Sequence, residues 1–323
     1  MIKCKKYILL SFLILLIAFS SCNIFYIAVR NVPVFFTPPK KVYNKITHPI
    51  NKDVRLSALW IGHSTVLIQM DDKVIITDPL LTETTGELAR RVVEPGIDIK
   101  NIPKCDIILI SHPHFDHLNI GSLEMLEKKS AGAYLVFPQG LENYLPTLKF
   151  NYVRMKNDNG YKSDYIGEEK TISNVRITTV YAQHWGGRYG LDGYVWGDKA
   201  YTGYIIEYNG LTVYFAGDTG YDSLNFKGLG VIYKVDLALI PIGPCAGCEQ
   251  CGPRTHVFPP DAVMIFNDIK ARWMIPIHYG TLYFAQAQPD EPLKALNQII
   301  EEQSLQDKIQ ILKIGEQKVF FKK

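Results

Sequence analysis

The stretch SHPHFDHL, residues 111–118, places three histidines and one aspartate in six consecutive positions. The other 317 positions hold only five histidines, so this concentration needs a reason. Imidazole nitrogens and carboxylate oxygens together suit zinc, with manganese and iron as further candidates. In an extended loop His112, His114 and Asp116 share one direction, because side chains two residues apart lie on the same face, whereas His117 points elsewhere. One short loop could therefore serve two neighbouring metal ions.

More histidines and aspartates fall directly after predicted strands elsewhere in the chain. Strand ends lie at the rim of a layered α/β domain, where loops bring side chains together. Delivery of so many candidate ligands to one rim predicts a site for more than one ion. A solvated polar loop is the alternative for residues 111–118, but it leaves the other positions unexplained. These positions are Asp78, His184, Asp218 and His278.

The elements that must position these residues alternate between strand-like and helical patterns. RLSALW, TVLIQM and KVIITD are separated by turn-prone residues and predict a β-meander. Two sets of strands with helices between them predict a single layered α/β domain over residues 54–323. The later strand-like runs are CDIILIS, AYLVFP, VRITTVYA, YTGYIIEYN, LTVYFAGD, DLALIPI and the closing IQILKIGEQKVFF, and the helical patterns are LNIGSLEMLEKK, QGLENYL, 260–269 and 291–303.

The order of these motifs resembles the metallo-β-lactamase superfamily of hydrolases. HxHxDH follows an apolar strand, and a later histidine, an aspartate in GDT and a final histidine come after it. The resemblance implies an α/β fold, a four-layer αββα sandwich of two mixed β-sheets flanked by helices, with two divalent metal ions, zinc favoured, at one edge. Asp78 matches a supporting acidic position that orients a ligand histidine. The implied ligands are His112, His114 and His184 for one ion, Asp116, His117 and His278 for the other, and Asp218 between them.

A narrower resemblance leads to the N-acylphosphatidylethanolamine phospholipase D branch of that superfamily. It is carried by LWIGHSTVLIQMDDKVIITDPL, AQHWGGR, VWGDKAYTGYIIE, YFAGDTGY and LALIPIG. The resemblance implies a phosphodiesterase acting on N-acylphosphatidylethanolamine-like lipids, with Asp116 and Asp218 among its catalytic residues.

Two further histidines become candidates through the same branch. THVFPPDAV resembles a stretch in which a histidine lies close to the substrate, which makes His256 a third catalytic candidate. A surface residue at the start of a helix is the alternative for His256, because PPDAV is itself a helix start signal. His63 in WIGHST resembles a position near the active site and is predicted to support the ligands. A hydrogen-bonded turn histidine is its alternative.

Three functional classes stay open. The first two are hydrolases that use the same metal site, and the third is not catalytic. A metal-activated water needs no side-chain nucleophile, and no Ser or Cys nucleophile motif surrounds the candidate ligands. A lipid phosphodiesterase is the first hypothesis. A lactonase or amidase that acts on a small soluble substrate is the second, and a non-catalytic binding protein of the cell envelope is the third.

The first 29 residues predict export and attachment to a membrane. Three lysines precede the apolar run Tyr7–Phe19, and SSC then ends at Cys22, as in a bacterial lipoprotein signal. Without cleavage, Tyr7–Val29 is 23 residues long, enough to span a bilayer. Both alternatives place the domain in the bacterial cell envelope, outside the cytoplasm. Residues 30–53 are predicted to form a Pro-rich linker or strap.

Composition limits the partners. Hydrophobic residues make up 47% of the chain, as in a globular protein. The net charge of +3 comes from 35 basic and 32 acidic residues, and no basic stripe with interleaved aromatics is visible, so no nucleic-acid partner is expected. The expected partners are a membrane and a lipid or a small ester or amide substrate.

CAGCEQC, which contains Cys245, Cys248 and Cys251, replaces a connection that would be aromatic and basic in the phospholipase D branch. A loop of reduced thiols and a disulfide between two of them are both compatible with an envelope protein. An extra metal site is the third interpretation, although three thiolates without a nearby fourth ligand do not close a zinc site.

Overall fold

The computed structural model describes residues 32–34, 36–86, 89–157, 166–189, 192, 195, 199–243, 255–282 and 290–323. The predicted signal or anchor at residues 1–29 and the cysteine cluster at 245–251 lie outside these residues. None of the helices described is both long enough and apolar enough to cross a bilayer.

The described residues form strands, α-helices and two short 3-10 helices, Ile99–Asn101 and Leu141–Tyr144. The helices are α1 (Ile120–Ser130), α2 (Ser223–Ile232), α3 (Pro259–Asp268) and α4 (Glu291–Gln303). The strands are β1 (Val54–Gly62), β2 (Thr65–Met70), β3 (Lys73–Thr77), β4 (Thr84–Thr85), β5 (Ala89–Arg90), β6 (Ile107–Leu109), β7 (Tyr134–Pro138), β8 (Asn151–Met155), β9 (Ile166–Ile172), β10 (Val175–Val180), β11 (Gly203–Tyr208), β12 (Leu211–Phe215), β13 (Leu237–Pro241), β14 (Trp273–Ile277) and β15 (Gln317–Lys322).

Two mixed sheets make the centre of the fold. The first has the strand order β15-β1-β2-β3-β6-β7-β8, antiparallel from β15 to β3 and parallel from β3 to β8. The second has the order β14-β13-β12-β11-β10-β9, antiparallel from β9 to β12 and parallel from β12 to β14. The carboxyl ends of the parallel strands lie at one edge of the sheets. The candidate ligands come in the loops that follow these ends.

The alternation of side chains along β1 explains the layers. Leu56, Ala58 and Trp60 belong to the core that the second sheet shares, together with residues such as Ile205 and Tyr214. Leu59 and Ile61 point the other way, into the core that β1 shares with α1. Because successive side chains of a strand lie on opposite faces, a strand buried on both faces must be covered on both.

The outer helices complete the two covering layers. α1 buries Leu123 and Leu126 in the core beneath the first sheet. α3 buries Val263 and Phe266 and contacts β13 of the second sheet. Helix, sheet, sheet and helix follow one another, which confirms the predicted αββα sandwich.

The described part of the predicted strap lies against the loop that follows β5. Lys40 forms an isolated bridge with Val93, and Nζ of Lys45 lies 3.1 Å from Glu94 and 3.2 Å from Asp98. The division of the chain into anchor, strap and catalytic domain stays a prediction.

Candidate metal centre

The candidate ligands lie in loops at one edge of the two sheets. Apolar strands end there and give way to polar residues. Asp78 directly follows β3, the 111–118 stretch follows β6, and His278 directly follows β14. His184 and Asp218 come shortly after β10 and β12. The candidate ligands at this edge therefore come from loops of both sheets.

The structure brings together the three histidines that were assigned to one ion. His112, His114 and His184 each offer a ring nitrogen, and these atoms lie within 4.8 Å of one another. Nδ1 of His114 is 3.1 Å from Nε2 of His184. We call these three residues the first ligand group.

The three residues assigned to the other ion also meet. Asp116, His117 and His278 offer atoms within 4.8 Å of one another, and His63 joins the same cluster. Nε2 of His117 lies 3.1 Å from Nε2 of His278. We call Asp116, His117 and His278 the second ligand group.

Asp218 lies between the two ligand groups. Its Oδ2 atom is 3.3 Å from Nε2 of His117 and 3.2 Å from Nε2 of His278. The same atom is 3.9 Å from Nε2 of His112 in the first ligand group. This is the position that a carboxylate shared by two ions would need.

The spacing of the second ligand group fits a zinc-sized ion. Tetrahedral zinc with nitrogen and oxygen ligands at about 2.0–2.1 Å separates those ligands by about 3.3 Å. The five separations that join Nε2 of His117 or His278 to each other and to Oδ2 of Asp116 or Asp218 are 3.1, 3.5, 3.3, 3.6 and 3.2 Å. They bracket the expected edge of the tetrahedron, so these atoms can share one ion.

Buried polar atoms in the site point to the same conclusion. Within the described residues, Nε2 of His112 and Oδ1 of Asp218 are buried without a hydrogen-bond partner. A buried polar group left unpaired costs about 1–3 kcal/mol, so native proteins seldom keep one without a purpose. A bound cation would satisfy both atoms.

Hydrogen bonds fix the Nδ1 atoms of three ligand histidines, His117, His184 and His278. Nδ1 of His117 lies 2.6 Å from Oδ2 of the buried Asp78. Nδ1 of His184 donates to the carbonyl of Thr255 at 2.9 Å, and Nδ1 of His278 donates to that of Gly243 at 3.1 Å. Such bonds keep the proton on Nδ1 and leave the Nε2 lone pair for a metal.

Asp78 also reaches the first ligand group through Ser111. Its carboxylate accepts the Ser111 N–H at 2.7 Å and the Ser111 hydroxyl at 2.5 Å. The hydroxyl oxygen in turn lies 2.8 Å from Nδ1 of His112. One carboxylate thus orients a histidine in each group, which gives the predicted supporting acid a geometric basis.

Burial keeps the first ligand group neutral. Desolvation lowers the pKa of His114 to about 4 and holds the pKa values of His112 and His184 well below the usual value. Neutral imidazole is the form that binds metals. This group is therefore ready for an ion at neutral pH.

The second ligand group behaves differently because carboxylates surround it. Burial alone would lower the pKa of His278, but the neighbouring Asp218 and Asp116 raise it to about 9. Burial also lowers the pKa of His117, but Asp218 and Asp116 hold it well above its usual value. Burial would raise the pKa of Asp116 and Asp218, yet the charged His117 holds both well below the usual value.

His63 lies deeper in the site than its sequence position suggested. The ring is fully buried, and Nε2 is 2.9 Å from Oδ2 of Asp116. Burial lowers the pKa of His63 to about 3. His63, Asp78 and His278 have φ values of 55°, 32° and 64°, in the left-handed region that residues other than glycine seldom adopt. Such conformations concentrate at functional sites.

His256 contacts the candidate bridging carboxylate. Its Nε2 atom lies 3.0 Å from Oδ2 of Asp218, and its side chain is 20% exposed. The residue comes just before α3, so the helix-start interpretation and the proximity to the ligands both hold.

The loop that carries His184 also braces the 111–118 stretch. Nη1 of Arg188 donates to the carbonyls of Pro113 and Leu118 at 2.6 and 2.8 Å. The guanidinium lies 4.2 Å from the ring centroid of Phe115. Sequence analysis did not single out Arg188. Its position four residues after His184 in AQHWGGR was the available signal.

Aromatic side chains stand at the solvent side of the site. The Trp185 ring lies 4.3 Å from that of His114 and is 37% exposed. Tyr189 is 69% exposed, and its ring lies 5.9 Å from that of Phe115. These side chains give the opening of the site an apolar component.

Curated proteins similar in sequence to this chain include lipid hydrolases. N-acyl-phosphatidylethanolamine-hydrolyzing phospholipase D 1 of Caenorhabditis elegans is 29% identical over 255 residues, 74% of this chain and 68% of that protein. The corresponding protein of Saccharomyces cerevisiae is 28% identical, and the match covers 81% of this chain but only 55% of the yeast protein. A UPF0173 metal-dependent hydrolase of Thermodesulfovibrio yellowstonii is 31% identical, over 80% of this chain and 89% of its own length.

Solved structures and a family profile agree on the fold. Isothiocyanate hydrolase from Delia radicum gut bacteria superposes with a TM-score of 0.61 at 18% identity, over 82% of this chain and 99% of that one. The family described as "Beta-lactamase superfamily domain" matches residues 73–279. That range contains every candidate ligand from Asp78 to His278. The chain therefore belongs to the metallo-β-lactamase superfamily, and it is a metal-dependent hydrolase.

Proposed function

We propose that this hydrolase is a two-zinc phosphodiesterase of the phospholipase D type that acts on N-acylphosphatidylethanolamine-like lipids. The observation that carries the two-metal part is the position of Asp218. Its Oδ2 atom lies within 4 Å of ring nitrogens from both ligand groups, at 3.9 Å from His112 and 3.2 Å from His278. A pair of ions requires a carboxylate between two sets of imidazole nitrogens that are neutral or can lose a proton to the metal.

The chemistry divides between the ions and the side chains of the chain. Zinc ions held by the two ligand groups would make a water nucleophilic at neutral pH and would offset the charge that develops on the oxygens of the scissile bond. Asp116 and Asp218 supply the negative charge that holds the ions. His256 is partly exposed and lies 3.0 Å from Asp218, so its ring can reach both the carboxylate and an incoming substrate.

A lipid substrate is supported by the relatives and by the opening of the site. Two curated relatives are named for hydrolysis of N-acylphosphatidylethanolamine. Exposed Trp185 beside His114 and exposed Tyr189 beside Phe115 give an acyl chain an apolar surface. Attachment to the envelope through residues 1–29, as proposed from the sequence, would hold the site near such a lipid.

The activity is tested with the full chain loaded with Zn²⁺ in detergent micelles that contain N-acylphosphatidylethanolamine. Hydrolysis of the phosphodiester consumes one water and gives phosphatidic acid and an N-acylethanolamine, which mass spectrometry detects. The same preparation is offered a panel of lactones and amides. Lactone or amide turnover without lipid turnover would contradict the lipid proposal and establish the second hypothesis.

The lactonase or amidase alternative uses the same two ligand groups and differs in the bond that is cleaved. The UPF0173 relative is matched over 89% of its length, and its name specifies no lipid. The binding-protein hypothesis predicts fewer than two ions per chain and no turnover of either class. Elemental analysis of the purified chain decides that point.

A further inference from the structure

His63 contacts two members of the second ligand group by different routes. Its Nε2 atom lies 2.9 Å from Oδ2 of Asp116. Its carbonyl oxygen accepts the backbone N–H of His278 at 3.0 Å, and the two imidazole rings are 4.0 Å apart at their centroids. One buried side chain thus touches both the acidic residue and a histidine of the group.

The Asp116 oxygen that His63 contacts is the oxygen that faces the other ligands. Oδ2 of Asp116 lies 3.5 Å from Nε2 of His117 and 3.6 Å from Nε2 of His278. An ionised carboxylate has no proton to give, so the His63 ring is the donor. A carboxylate oxygen has two lone pairs. One accepts from His63, and the other remains for an ion.

Hydrogen bonds to the backbone N–H and carbonyl of His63 fix the position of its ring next to Asp116. Its φ of 55° persists only where the surroundings determine it fully. The N–H donates to Oγ1 of Thr281 at 2.8 Å, and the carbonyl also accepts from the indole of Trp60 at 2.9 Å. The turn between β1 and β2 is thereby fastened to the loop that follows β14.

We propose that His63 is a positioning residue for the second ligand group, which fixes the Asp116 carboxylate so that this group can hold its ion. The inference rests on the proposed two-metal function. The first ligand group has its own supports, such as Ser111 on His112 and Thr255 on His184. Loss of the His63 ring should therefore weaken one ion and leave the other.

The test compares His63→Asn with His63→Gln in the full chain. Asparagine tolerates a left-handed backbone but is too short to reach Asp116. Glutamine is one methylene longer and carries an N–H donor at about the reach of Nε2. His63→Met, which lacks a donor, is a second loss variant. His48→Gln, at an exposed histidine bonded to Thr47, is the control for a histidine change elsewhere.

Metal-free protein is titrated with Zn²⁺ in competition with a chromophoric chelator. Wild type and His48→Gln should bind two ions per chain. His63→Asn and His63→Met should bind the first ion normally and the second about 10–100-fold more weakly, the range for loss of a residue that orients a ligand. His63→Gln should recover most of the second affinity.

Three outcomes would overturn the inference. Wild-type affinity for both ions in the two loss variants overturns it and leaves the two-metal function intact. Equal weakening of both ions also overturns it, since His63 would then act on the fold as a whole. A wild-type chain that binds a single ion overturns the proposed function and the inference together.

Discussion

Nε2 of His117 and Nε2 of His278 lie 3.1 Å apart, although 161 positions separate the two residues in the chain. His117 follows a strand of the first sheet and His278 follows a strand of the second. In the metal-free protein Asp116 and Asp218 raise the pKa of both rings, so protons are held at this contact at neutral pH. A metal ion that binds to these two nitrogens must displace those protons.

Zinc binding should release protons. Metal ligands must be deprotonated, and the pKa of His278 is raised to about 9 while that of His117 lies well above its usual value. At pH 7 we expect about two protons to leave per fully loaded chain. Isothermal titration in buffers of different ionisation enthalpy measures this number. Heat that does not depend on the buffer would contradict the assignment.

Stability of the metal-free protein should fall as the pH rises from 6.5 to above 9. His278 has a raised pKa in the folded state, so its charged form favours folding below pH 6.5 and this contribution is lost as the pH passes 9. The difference of the two pKa values limits the loss to about 3 kcal/mol. Urea unfolding at both pH values tests this, and His278→Asn should flatten the dependence. A pH-independent wild type would refute it.

Asp218→Asn should abolish hydrolysis and weaken binding of both ions. The substitution keeps the size of the side chain but removes the charge that lies between the two ligand groups. We expect the activity of this variant to fall by more than about 100-fold. We expect a loss of the same size in His114→Ala. Zinc stoichiometry and turnover are both measured, with circular dichroism as the folding control. Full activity in either variant would refute the ligand assignment.

Arg188→Lys should loosen the 111–118 stretch. A lysine ammonium can replace the single nitrogen Nη1 that donates to the carbonyls of Pro113 and Leu118, but it cannot stack a planar guanidinium on the Phe115 ring. We expect lower thermal stability and about tenfold weaker zinc binding at both ligand groups. Arg154→Lys, at a largely exposed residue far along the first sheet, is the matched control. Equal affinity in Arg188→Lys and wild type would show that the brace is dispensable.

The clustering of the candidate ligands was predictable because these residues leave a dense local signal. SHPHFDHL concentrates imidazoles in one loop, Asp78 and His278 directly follow apolar strands, and Asp218 comes three residues after the end of another. Their meeting point follows from the rule that strand ends share an edge. The metal identity and the bond cleaved stay predictions.

Contacts made through the backbone were less accessible to sequence. His63 matters through its hydrogen bonds to Thr281 and His278, more than 200 positions away, and no local pattern encodes those. α2 was not predicted, because SLNFKGLGVI contains two glycines and ends in β-branched residues. QGLENYL, which was predicted to be helical, forms a short 3-10 helix at Leu141–Tyr144.

The predicted anchor at residues 1–29 would tether the domain through the segment that precedes Lys40. The attachment of the strap begins at Lys40, which bridges to Val93, and the next residue of that loop, Glu94, pairs with Lys45. Val92 in turn donates to the carbonyl of Thr281, beside the metal centre. With an anchor that ends at Val29, residues 30–39 can extend at most about 36 Å. Lys40 would then stay within that distance of the end of the anchor, so lengthening this segment should alter access to membrane lipids but not to soluble substrates.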